Sequence, residues 1–272
     1  MRYLITGGSG FLGQELIKRL DGHIRVLARN EGNLVALKEK YPDIEIMLGD
    51  VGDSYICSRA MEGIDGVFHL AAMKHVGLAE ENVREAINSN IPLALLEATR
   101  IYKPQFIIGI STDKAASRKG VYGTTKFLME RLFAEYEIVN PDTKYRIVRY
   151  GNVIYSTGSV LCKWKDKLEK GQDITITDRN ATRFFWTVKQ AVDLIFEALE
   201  KGTDARPYAT SMKAIKMDDL LSAMISKYAS QPLAVNEIGL QPGENLHEVI
   251  TEDGPDSSQV ERFTHKEIME MI

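Results

Sequence analysis

The stretch Arg2-Tyr3-Leu4-Ile5-Thr6-Gly7-Gly8-Ser9-Gly10-Phe11-Leu12-Gly13 decides the fold of this chain. Its first five residues form a short apolar run, and apolar residues then recur at helical spacing from Phe11 to Leu20. A glycine-rich turn between a strand and a helix is typical of a dinucleotide site, where the phosphates rest on the helix N-terminus. We assign Gly7 to the tight turn, Gly10 to the approach of the pyrophosphate and Gly13 to packing of the helix on the strand, with a turn that holds no ligand as the alternative.

Further apolar runs follow in alternation with helical patterns. They predict strands at residues 24–28, 44–48, 67–70, 106–110 and 146–150, and residues 80–102 read as one long helix. Alternating strands and helices predict an α/β protein with a Rossmann-type, doubly wound parallel sheet. We therefore expect a dinucleotide-binding Rossmann domain over residues 1–153 and a smaller C-terminal lobe over residues 154–272, whose chain returns to the sheet.

The residues that follow the strands predict the cofactor. A carboxylate normally holds the ribose of NAD at the end of the second strand, but this chain has Arg29-Asn30 there. Because a guanidinium can form two hydrogen bonds to a 2′-phosphate, this pair favours NADP, with a solvent-exposed arginine as the alternative. Asp50, which precedes Val51, is expected to accept a hydrogen bond from the adenine amine. Further along, the small residues Ala71 and Ala72 would let the backbone pass close to the cofactor.

A second informative stretch runs from Ser111 to Lys126. Thr112, Asp113 and Lys114 follow the strand at 106–110, so they should lie at the carboxyl edge of the sheet, where ligands bind. Tyr122 and Lys126 are four residues apart on the next predicted helix and share one of its faces. An isolated Tyr-x-x-x-Lys is usually part of a charged helix surface, but beside a cofactor site it predicts a reaction centre.

Composition excludes several classes of function. The chain has 272 residues, of which 44% are hydrophobic and 26% charged, with a net charge of −4, so we expect a globular protein that binds neither nucleic acid nor membrane. Two cysteines far apart in sequence and a strand that begins after one arginine predict a cytoplasmic protein without a signal peptide. The five histidines lack the spacing of metal ligands, so no metal site is predicted.

Several motifs together resemble the extended short-chain dehydrogenase/reductase superfamily, and within it the inverting UDP-N-acetylglucosamine 4,6-dehydratases. The superfamily features are Thr-Gly-x-x-Gly-x-x-Gly at 6–13, Gly-Asp-Val at 49–51, Leu-Ala-Ala at 70–72 and Tyr-x-x-x-Lys at 122–126. The dehydratase features are Ala-Met-Lys-His-Val at 72–76, Ser-Thr-Asp-Lys-Ala-Ala at 111–116, Arg-Tyr-Gly-Asn-Val at 149–153, Thr-Arg-Phe at 182–184 and Pro-Gly-Glu-x-x-His-Glu at 242–248.

This resemblance implies a role for each residue of the reaction centre. Tyr122 would act on the sugar O4, assisted by Thr112, while Lys126 lowers the pKa of the phenol and holds the nicotinamide ribose. Lys114 would remove the C5 proton and Asp113 would protonate the departing C6 hydroxyl. A lysine base must be neutral part of the time, so we expect burial or cationic neighbours such as Lys126 to lower the pKa of Lys114.

The resemblance also implies contacts for both ligands. The expected cofactor contacts are Gly7, Ser9, Gly10, Phe11, Leu12, Gly13, Arg29, Asn30, Asp50, Val51, Ala71, Ala72, Lys74, Tyr122, Lys126 and Val153. The expected substrate contacts are Lys74, Thr112, Asn152, Ser159, Thr182, Arg183 and Glu244, which makes the C-terminal lobe the substrate-binding one. Relatives carry arginines where this chain has Thr157 and Gln241. They often pair through the helices that flank the sheet, so a homo-oligomer is expected.

The resemblance, together with Arg29, thus implies a lyase, an NADP-dependent 4,6-dehydratase that inverts C5 of UDP-N-acetylglucosamine. The same chemistry on another nucleotide hexose is one alternative, because the arginines expected at 157 and 241 are absent. A nucleotide-sugar 4-epimerase or 4-ketoreductase is a second, although such enzymes have no use for the Asp113-Lys114 pair. A non-enzymatic NADP-binding regulator is a third, and it would not need the elimination groups.

Overall fold

A computed structural model describes residues 1–272, with twelve strands and twelve helices. The strands in chain order are β1 (Arg2–Thr6), β2 (His23–Ala28), β3 (Glu45–Leu48), β4 (Gly66–His69), β5 (Phe106–Thr112), β6 (Lys144–Tyr150), β7 (Asn152–Val153), β8 (Ile174–Ile176), β9 (Thr182–Trp186), β10 (Pro207–Tyr208), β11 (Ala214–Lys216) and β12 (Val235–Glu237). The helices are α1 (Phe11–Ile17), α2 (Glu31–Lys40), α3 (Ser54–Met61), α4 (Val76–Glu81), α5 (Val83–Asn90), α6 (Leu93–Tyr102), α7 (Asp113–Ser117), α8 (Gly120–Val139), α9 (Val160–Glu169), α10 (Val188–Lys201), α11 (Met217–Tyr228) and α12 (His265–Met271).

The central sheet has seven parallel strands in the order β3-β2-β1-β4-β5-β6-β10. The order reverses between β1 and β4, and in a doubly wound sheet this switch point opens a crevice at the carboxyl ends of the strands. The predicted Rossmann-type fold is confirmed, and each predicted strand is present with bounds that differ by no more than two residues. The chain does return to the sheet, because β10 pairs with β6.

Apolar side chains form three cores. Two of them cover the opposite faces of the central sheet, and α10 from the C-terminal part joins the one that also contains Leu16 of α1. The third lies within the C-terminal part, where Ile154, Trp164 and Leu220 pack together beside the small sheets β11-β9-β7 and β12-β8. The separate core is consistent with a smaller lobe that begins near residue 154, and the division into two domains stays a prediction.

The long helix predicted for residues 80–102 is wrong, since α4, α5 and α6 are separate. Asn82 leaves the helical region at φ −129° and ends α4, and α5 ends at Asn90. Ile91 is extended because it precedes Pro92, whose ring disfavours the α conformation of the preceding residue. The breaks serve the site, because the end of α5 holds a loop that borders the cleft described below.

None of the helices combines the length and the apolar character that crossing a lipid bilayer requires. No group of three or more His, Cys, Asp and Glu side chains converges as metal ligands would.

Candidate active site

The glycine turn between β1 and α1 is built by close backbone packing. Gly7 has φ +70°, and a Cβ at this position would lie 2.8 Å from the backbone nitrogen of Ala71 at the end of β4. A Cβ at Gly13 would lie 2.5 Å from the Cα of Gly8, so α1 can pack on the turn only without a side chain there. This cradle fits the pyrophosphate of a dinucleotide, because its backbone can approach a ligand closely.

One continuous cleft with a volume of about 1560 Å³ crosses the carboxyl edge of the sheet and the C-terminal lobe. It brings together nearly all of the predicted site residues. Those lining it are Gly7, Ser9, Gly10, Phe11, Leu12, Gly13, Arg29, Asn30, Val51, Ala71, Ala72, Lys74, Thr112, Asp113, Lys114, Tyr122, Lys126, Asn152, Val153, Ser159, Arg183 and Glu244. Asp50 and Thr182 are the two predicted residues that do not line it.

The end of β5 places the acid–base residues. Thr112 is the last residue of β5 and caps the short helix α7, and its hydroxyl donates to Asp113 Oδ1 at 2.8 Å. Asp113 is fully buried, and Oδ1 also accepts from the backbone nitrogen of Lys114 at 2.9 Å. Its second oxygen, Oδ2, is buried without any hydrogen-bond partner. A buried carboxyl oxygen without a partner at the cleft is available to a ligand.

Lys114 does not have the lowered pKa that the sequence analysis expected. Its Nζ lies 3.2 Å from Asp113 Oδ1 and 3.5 Å from Glu248 Oε1. Burial opposes the charge on this amine, but the carboxylates of Asp113 and Glu248 outweigh burial and raise the pKa of Lys114. These contacts therefore favour the ammonium form of Lys114, and it can serve as a base only after it loses a proton.

Tyr122 and Lys126 lie on α8, as predicted, but their electrostatics differ from expectation. Burial raises the pKa of the Tyr122 phenol, and the ammonium that opposes this effect is that of Lys114 rather than Lys126. Burial lowers the pKa of Lys126 to about 8, against the carboxylate of Glu130. Its Nζ donates to the backbone oxygen of Ile110 at 2.7 Å, so this amine is held at the end of β5.

A buried ion pair supports this wall of the cleft. Arg149 Nε and Nη2 donate to the two carboxylate oxygens of Glu130 at 2.7 and 2.6 Å, and Glu130 also accepts from Ser111 Oγ. Bidentate geometry with both partners buried fixes α8 against β5 and β6. Arg149 belongs to a motif quoted from the sequence, and its side chain is committed to packing rather than to the cleft.

The histidine at the end of β4 is buried in the packing beneath the cleft and does not line it. His69 is fully buried, and its Nδ1 lies 2.8 Å from the hydroxyl of Thr6. Burial, together with the charge of Lys126, lowers the pKa of His69 to about 3, so the ring is neutral at physiological pH.

In the wall that the C-terminal lobe contributes, two neighbouring residues of β9 point in opposite directions. Arg183 lines the cleft, and its Nη1 donates to the backbone oxygens of Thr182 and Leu246. Thr182 faces away, with its hydroxyl 2.8 Å from His247 Nδ1 and 2.6 Å from Ser257 Oγ. Adjacent residues of a strand point to opposite faces, so one of the two predicted contacts is directed into the packing of the lobe.

The far end of the cleft holds the residues predicted to select the cofactor. Arg29 is 52% exposed, and its Nη1 lies 3.4 Å from Asp50 Oδ2. Asn30 caps α2 by accepting from the backbone nitrogen of Asn33, which leaves its amide nitrogen for other partners. Asp50 does not line the cleft, because its Oδ1 accepts from the backbone nitrogen of Gly52 and its Oδ2 faces Arg29. The predicted contact between Asp50 and an adenine amine has no support from this geometry.

A group of basic side chains on the C-terminal side of the cleft was not assigned as a group from the sequence. Lys74, His75 and Lys163 all line the cleft and lie close enough to affect one another. Burial, Lys74 and Lys163 together lower the pKa of His75, and burial lowers the pKa of Lys74. Neither lysine forms an ion pair with a carboxylate, so the positive charge faces the cleft. Lys163, which lies on α9, belongs to none of the motifs in the sequence.

Two further residues that support the site were missed in the sequence: Asn90, which does not itself line the cleft, and Glu248, which does. The amide oxygen of Asn90 accepts from Met73 N at 2.8 Å, and its nitrogen donates to Met73 O and to Thr125 Oγ1. These bonds fix the loop that carries Lys74. Glu248 is fully buried and lines the cleft, next to Lys114. Both contacts join segments far apart in sequence, so spacing along the chain could not show them.

Comparison with known proteins identifies the family. A family model described as polysaccharide biosynthesis protein matches residues 3–271, nearly the entire chain. The chain belongs to this family. An inverting UDP-N-acetylglucosamine 4,6-dehydratase from Campylobacter jejuni is 32% identical over 259 residues, which cover 91% of this chain and 76% of the relative. A UDP-glucose 4-epimerase from Rickettsia bellii is 34% identical over 262 residues, which cover 90% of this chain and 76% of the relative.

A solved structure has the same fold. A dTDP-glucose 4,6-dehydratase from Streptomyces venezuelae, with NAD bound, superposes with a TM-score of 0.84 at 18% identity, covering 100% of this chain and 95% of that one. The resemblance stated from the motifs is confirmed, and the chain is an enzyme of the nucleotide-sugar dehydratase/epimerase family. The family contains both dehydratases and epimerases, so membership leaves the specific activity open.

Proposed function

We propose that this protein is a nucleotide-sugar 4,6-dehydratase that inverts C5 of UDP-N-acetylglucosamine, with NADP as its cofactor. The observation that carries the proposal is the position of an acid–base pair, Asp113 and Lys114, in the same cleft as Tyr122 and Lys126. Oxidation at C4 needs only the tyrosine and the cofactor. Removal of water across C5 and C6 also needs one group that takes a proton and one that gives it, and Asp113 and Lys114 supply both.

Each residue then has one proton to move. When bound, the nicotinamide supplies the acceptor for the C4 hydride and later returns hydride to C6. Tyr122 must first lose its own phenolic proton to solvent, and the phenolate then takes the proton of the O4 hydroxyl as the ketone forms. Lys114 takes the proton from C5, which the ketone has made acidic, and Asp113 gives a proton to the departing oxygen of C6. When hydride reaches C6, C5 receives a proton from solvent on its opposite face, which inverts the configuration there. The positions of Thr112, Arg183 and Glu244 along the cleft support roles in holding the sugar, the diphosphate and the nucleotide ribose.

Direct contact between Asp113 and Lys114 allows one proton to pass between them and gives each residue the protonation state that elimination requires. Lys114 begins as an ammonium and Asp113 as a carboxylate, with Nζ and Oδ1 3.2 Å apart. Transfer of one proton from Lys114 to Asp113 gives a neutral amine and a carboxylic acid, which are the two forms that elimination requires. After elimination Lys114 is again an ammonium and Asp113 a carboxylate. No proton from solvent is needed for this half of the cycle.

The deciding experiment is incubation of the purified protein with UDP-N-acetylglucosamine and without added reductant, followed by mass spectrometry. A dehydratase yields a product lighter by one water, and NMR of that product reports the configuration at C5. Other nucleotide hexoses assayed in parallel identify the preferred substrate. Failure to convert any of them to a dehydrated product would refute the proposal.

A 4-epimerase is the second candidate, because the relative from Rickettsia bellii carries that name. Epimerisation leaves the mass of the sugar unchanged, so the same mass spectrum separates the two activities. The Asp113–Lys114 pair favours the dehydratase, because inversion at C4 alone removes no proton from C5.

The proposed preference for NADP depends on Arg29, and we expect the Arg29→Asp variant to reverse this preference. A carboxylate there repels a 2′-phosphate and accepts a hydrogen bond from a 2′-hydroxyl, so affinity should shift from NADP toward NAD. Fluorescence titration with each reduced cofactor measures this preference. Arg59→Asp, on an exposed arginine outside the cleft, is the matched control and should change neither affinity. Equal affinities in wild type and Arg29→Asp would remove the basis for NADP.

We propose that Lys74, His75 and Lys163 bind the substrate diphosphate together with Arg183 and replace the arginines that are absent at 157 and 241. Lys163→Ala should weaken UDP binding about five- to ten-fold, because one exposed charge-assisted contact contributes about 1–1.5 kcal/mol. Lys165→Ala is the control on the same helix, since Lys165 pairs with Glu169 outside the cleft.

Thr157→Arg, made in the Lys163→Ala background, should recover part of the lost affinity, because Thr157 also lines the cleft. Isothermal titration with UDP measures all three variants. Unchanged affinity in Lys163→Ala would mean that the diphosphate binds elsewhere.

A further inference from the structure

Glu248 is a buried acid that ends the motif at 242–248, and neither the resemblance nor the proposed reaction gives it a role. Its side chain is 1% exposed, yet Oε1 has no hydrogen-bond partner and the residue lines the cleft. A buried carboxylate oxygen without a hydrogen bond carries a large desolvation cost unless a cation compensates it. Lys114 Nζ, at 3.5 Å, and Arg183 Nε, at 3.9 Å, are the cations that face this oxygen.

The chain around Glu248 fixes the direction of its carboxylate. The backbone nitrogen of Glu248 donates to Ser257 Oγ at 2.9 Å, and the backbone nitrogen of Ser257 donates to the backbone oxygen of Glu248 at 2.8 Å. Val249 forms an antiparallel bridge with Asp256 directly beside them. Oε2 is held by the amide nitrogen of Asn245 at 2.9 Å, which leaves Oε1 to face the amine. The carboxylate is thus held rigidly before any substrate arrives.

The charges around Lys114 are balanced by this arrangement. Asp113 and Glu248 supply two carboxylates, and Lys114 and Arg183 supply two cations, all within one buried group. Tyr122 is the remaining titratable residue that faces Lys114. Asp113 lies next to Lys114 in sequence and changes protonation during elimination, whereas Glu248 comes from the C-terminal lobe. Glu248 is therefore the carboxylate that can keep its charge while the proton moves between Lys114 and Asp113.

We infer that Glu248 is a positioning residue for the elimination step, which holds the Lys114 amine at C5 and stabilises the ammonium that forms there. The inference rests on the proposed function. In the step, the C5–H bond breaks, its electron pair is delocalised toward the C4 ketone, and the proton joins Nζ of Lys114. Glu248 neither gains nor loses a proton. Its charge is opposite to the one that appears on Nζ, so within this step it stabilises the ammonium relative to the neutral amine from which the ammonium forms.

The test uses Glu248→Gln, which keeps the shape and the contact with Asn245 but removes the charge. C4 oxidation should continue, because Tyr122 and Lys126 are unchanged, and absorbance of the reduced nicotinamide should accumulate on mixing with UDP-N-acetylglucosamine. Incorporation of solvent deuterium at C5, measured by mass spectrometry of the recovered sugar, should fall roughly 100-fold, as expected for a misplaced catalytic group. Glu248→Asp should recover part of this exchange, since the charge returns.

Glu252→Gln is the matched control in the same segment, because Glu252 pairs with Arg149 and Arg118 outside the cleft. It should exchange deuterium at the wild-type rate. Deuterium exchange at the wild-type rate in Glu248→Gln would overturn the inference. An equal loss of C4 oxidation and C5 exchange would also overturn it, because that result indicates a structural role only. If the wild-type protein itself exchanges no C5 proton, the proposed dehydratase function fails instead, so the two failures are distinguishable.

Discussion

Tyr122→Phe is expected to abolish the reaction at its first step. Without the phenol, no group takes the O4 proton while hydride leaves C4, so reduced nicotinamide should not appear on adding substrate. General acid–base catalysis contributes roughly 10²–10⁴-fold, and oxidation should fall by that factor. The fold should survive, because loss of one hydroxyl changes the free energy of unfolding by only about 1 kcal/mol. Stopped-flow absorbance measures the first turnover, and circular dichroism checks the fold.

Tyr150→Phe provides a control that removes a hydroxyl from the same cleft. Tyr150 is buried beside Tyr122, and burial raises the pKa of its phenol. Tyr150 is the last residue of β6, the strand that pairs with β5, and it has no role in the proposed reaction. The Tyr150→Phe variant should therefore oxidise substrate at close to the wild-type rate. Turnover of Tyr122→Phe near that rate would exclude Tyr122 as the group that acts on O4.

Local patterns in the sequence were sufficient to predict six of the seven strands of the central sheet and to name most of the residues that line the cleft. The apolar strand before Gly7 and the helical spacing after Gly13 depend on contacts within a few residues, so they are visible in the printed chain. Parallel strands then bring their carboxyl ends to one edge, which places Thr112 and Ala71 in the same cleft without further information.

Contacts between distant segments were the part that sequence could not supply. The raised pKa of Lys114 depends on Glu248, which the chain delivers from the C-terminal lobe. Thr182 and Arg183 are neighbours in one motif, and only the pairing of β9 decides which of the two faces the cleft. Electrostatics in a buried site depend on every charge within a few ångströms, so a motif can name the residues without giving their protonation states.

Lys114→Ala should separate oxidation from elimination. Tyr122 and Lys126 remain, so hydride should still leave C4, and reduced nicotinamide should accumulate because loss of the C6 hydroxyl stalls. Solvent deuterium should no longer enter C5, with a loss of roughly 10²–10⁴-fold. Removing the ammonium also leaves Asp113 without its cation and leaves Glu248 facing only Arg183. Loss of one partner of a buried pair costs about 3–5 kcal/mol of folding free energy. Denaturant unfolding measures this cost, and Lys114→Met is a second variant that fills the same space.

The companion variant Asp113→Asn assigns the acid separately from the base. An amide cannot donate the proton that the departing C6 oxygen needs, so dehydration should stop. The variant also removes a carboxylate that raises the pKa of Lys114, so this amine can lose its proton to solvent instead of to Asp113. Exchange of the C5 proton should therefore persist at a reduced rate. The two variants therefore differ in one measurement, deuterium at C5 of the recovered sugar, although both accumulate reduced nicotinamide. Oxidation that persists in Lys114→Ala also shows that its site is folded. If deuterium enters C5 in Lys114→Ala at the wild-type rate, another residue is the base, and Glu248, the nearest carboxylate from the other lobe, is the first to test.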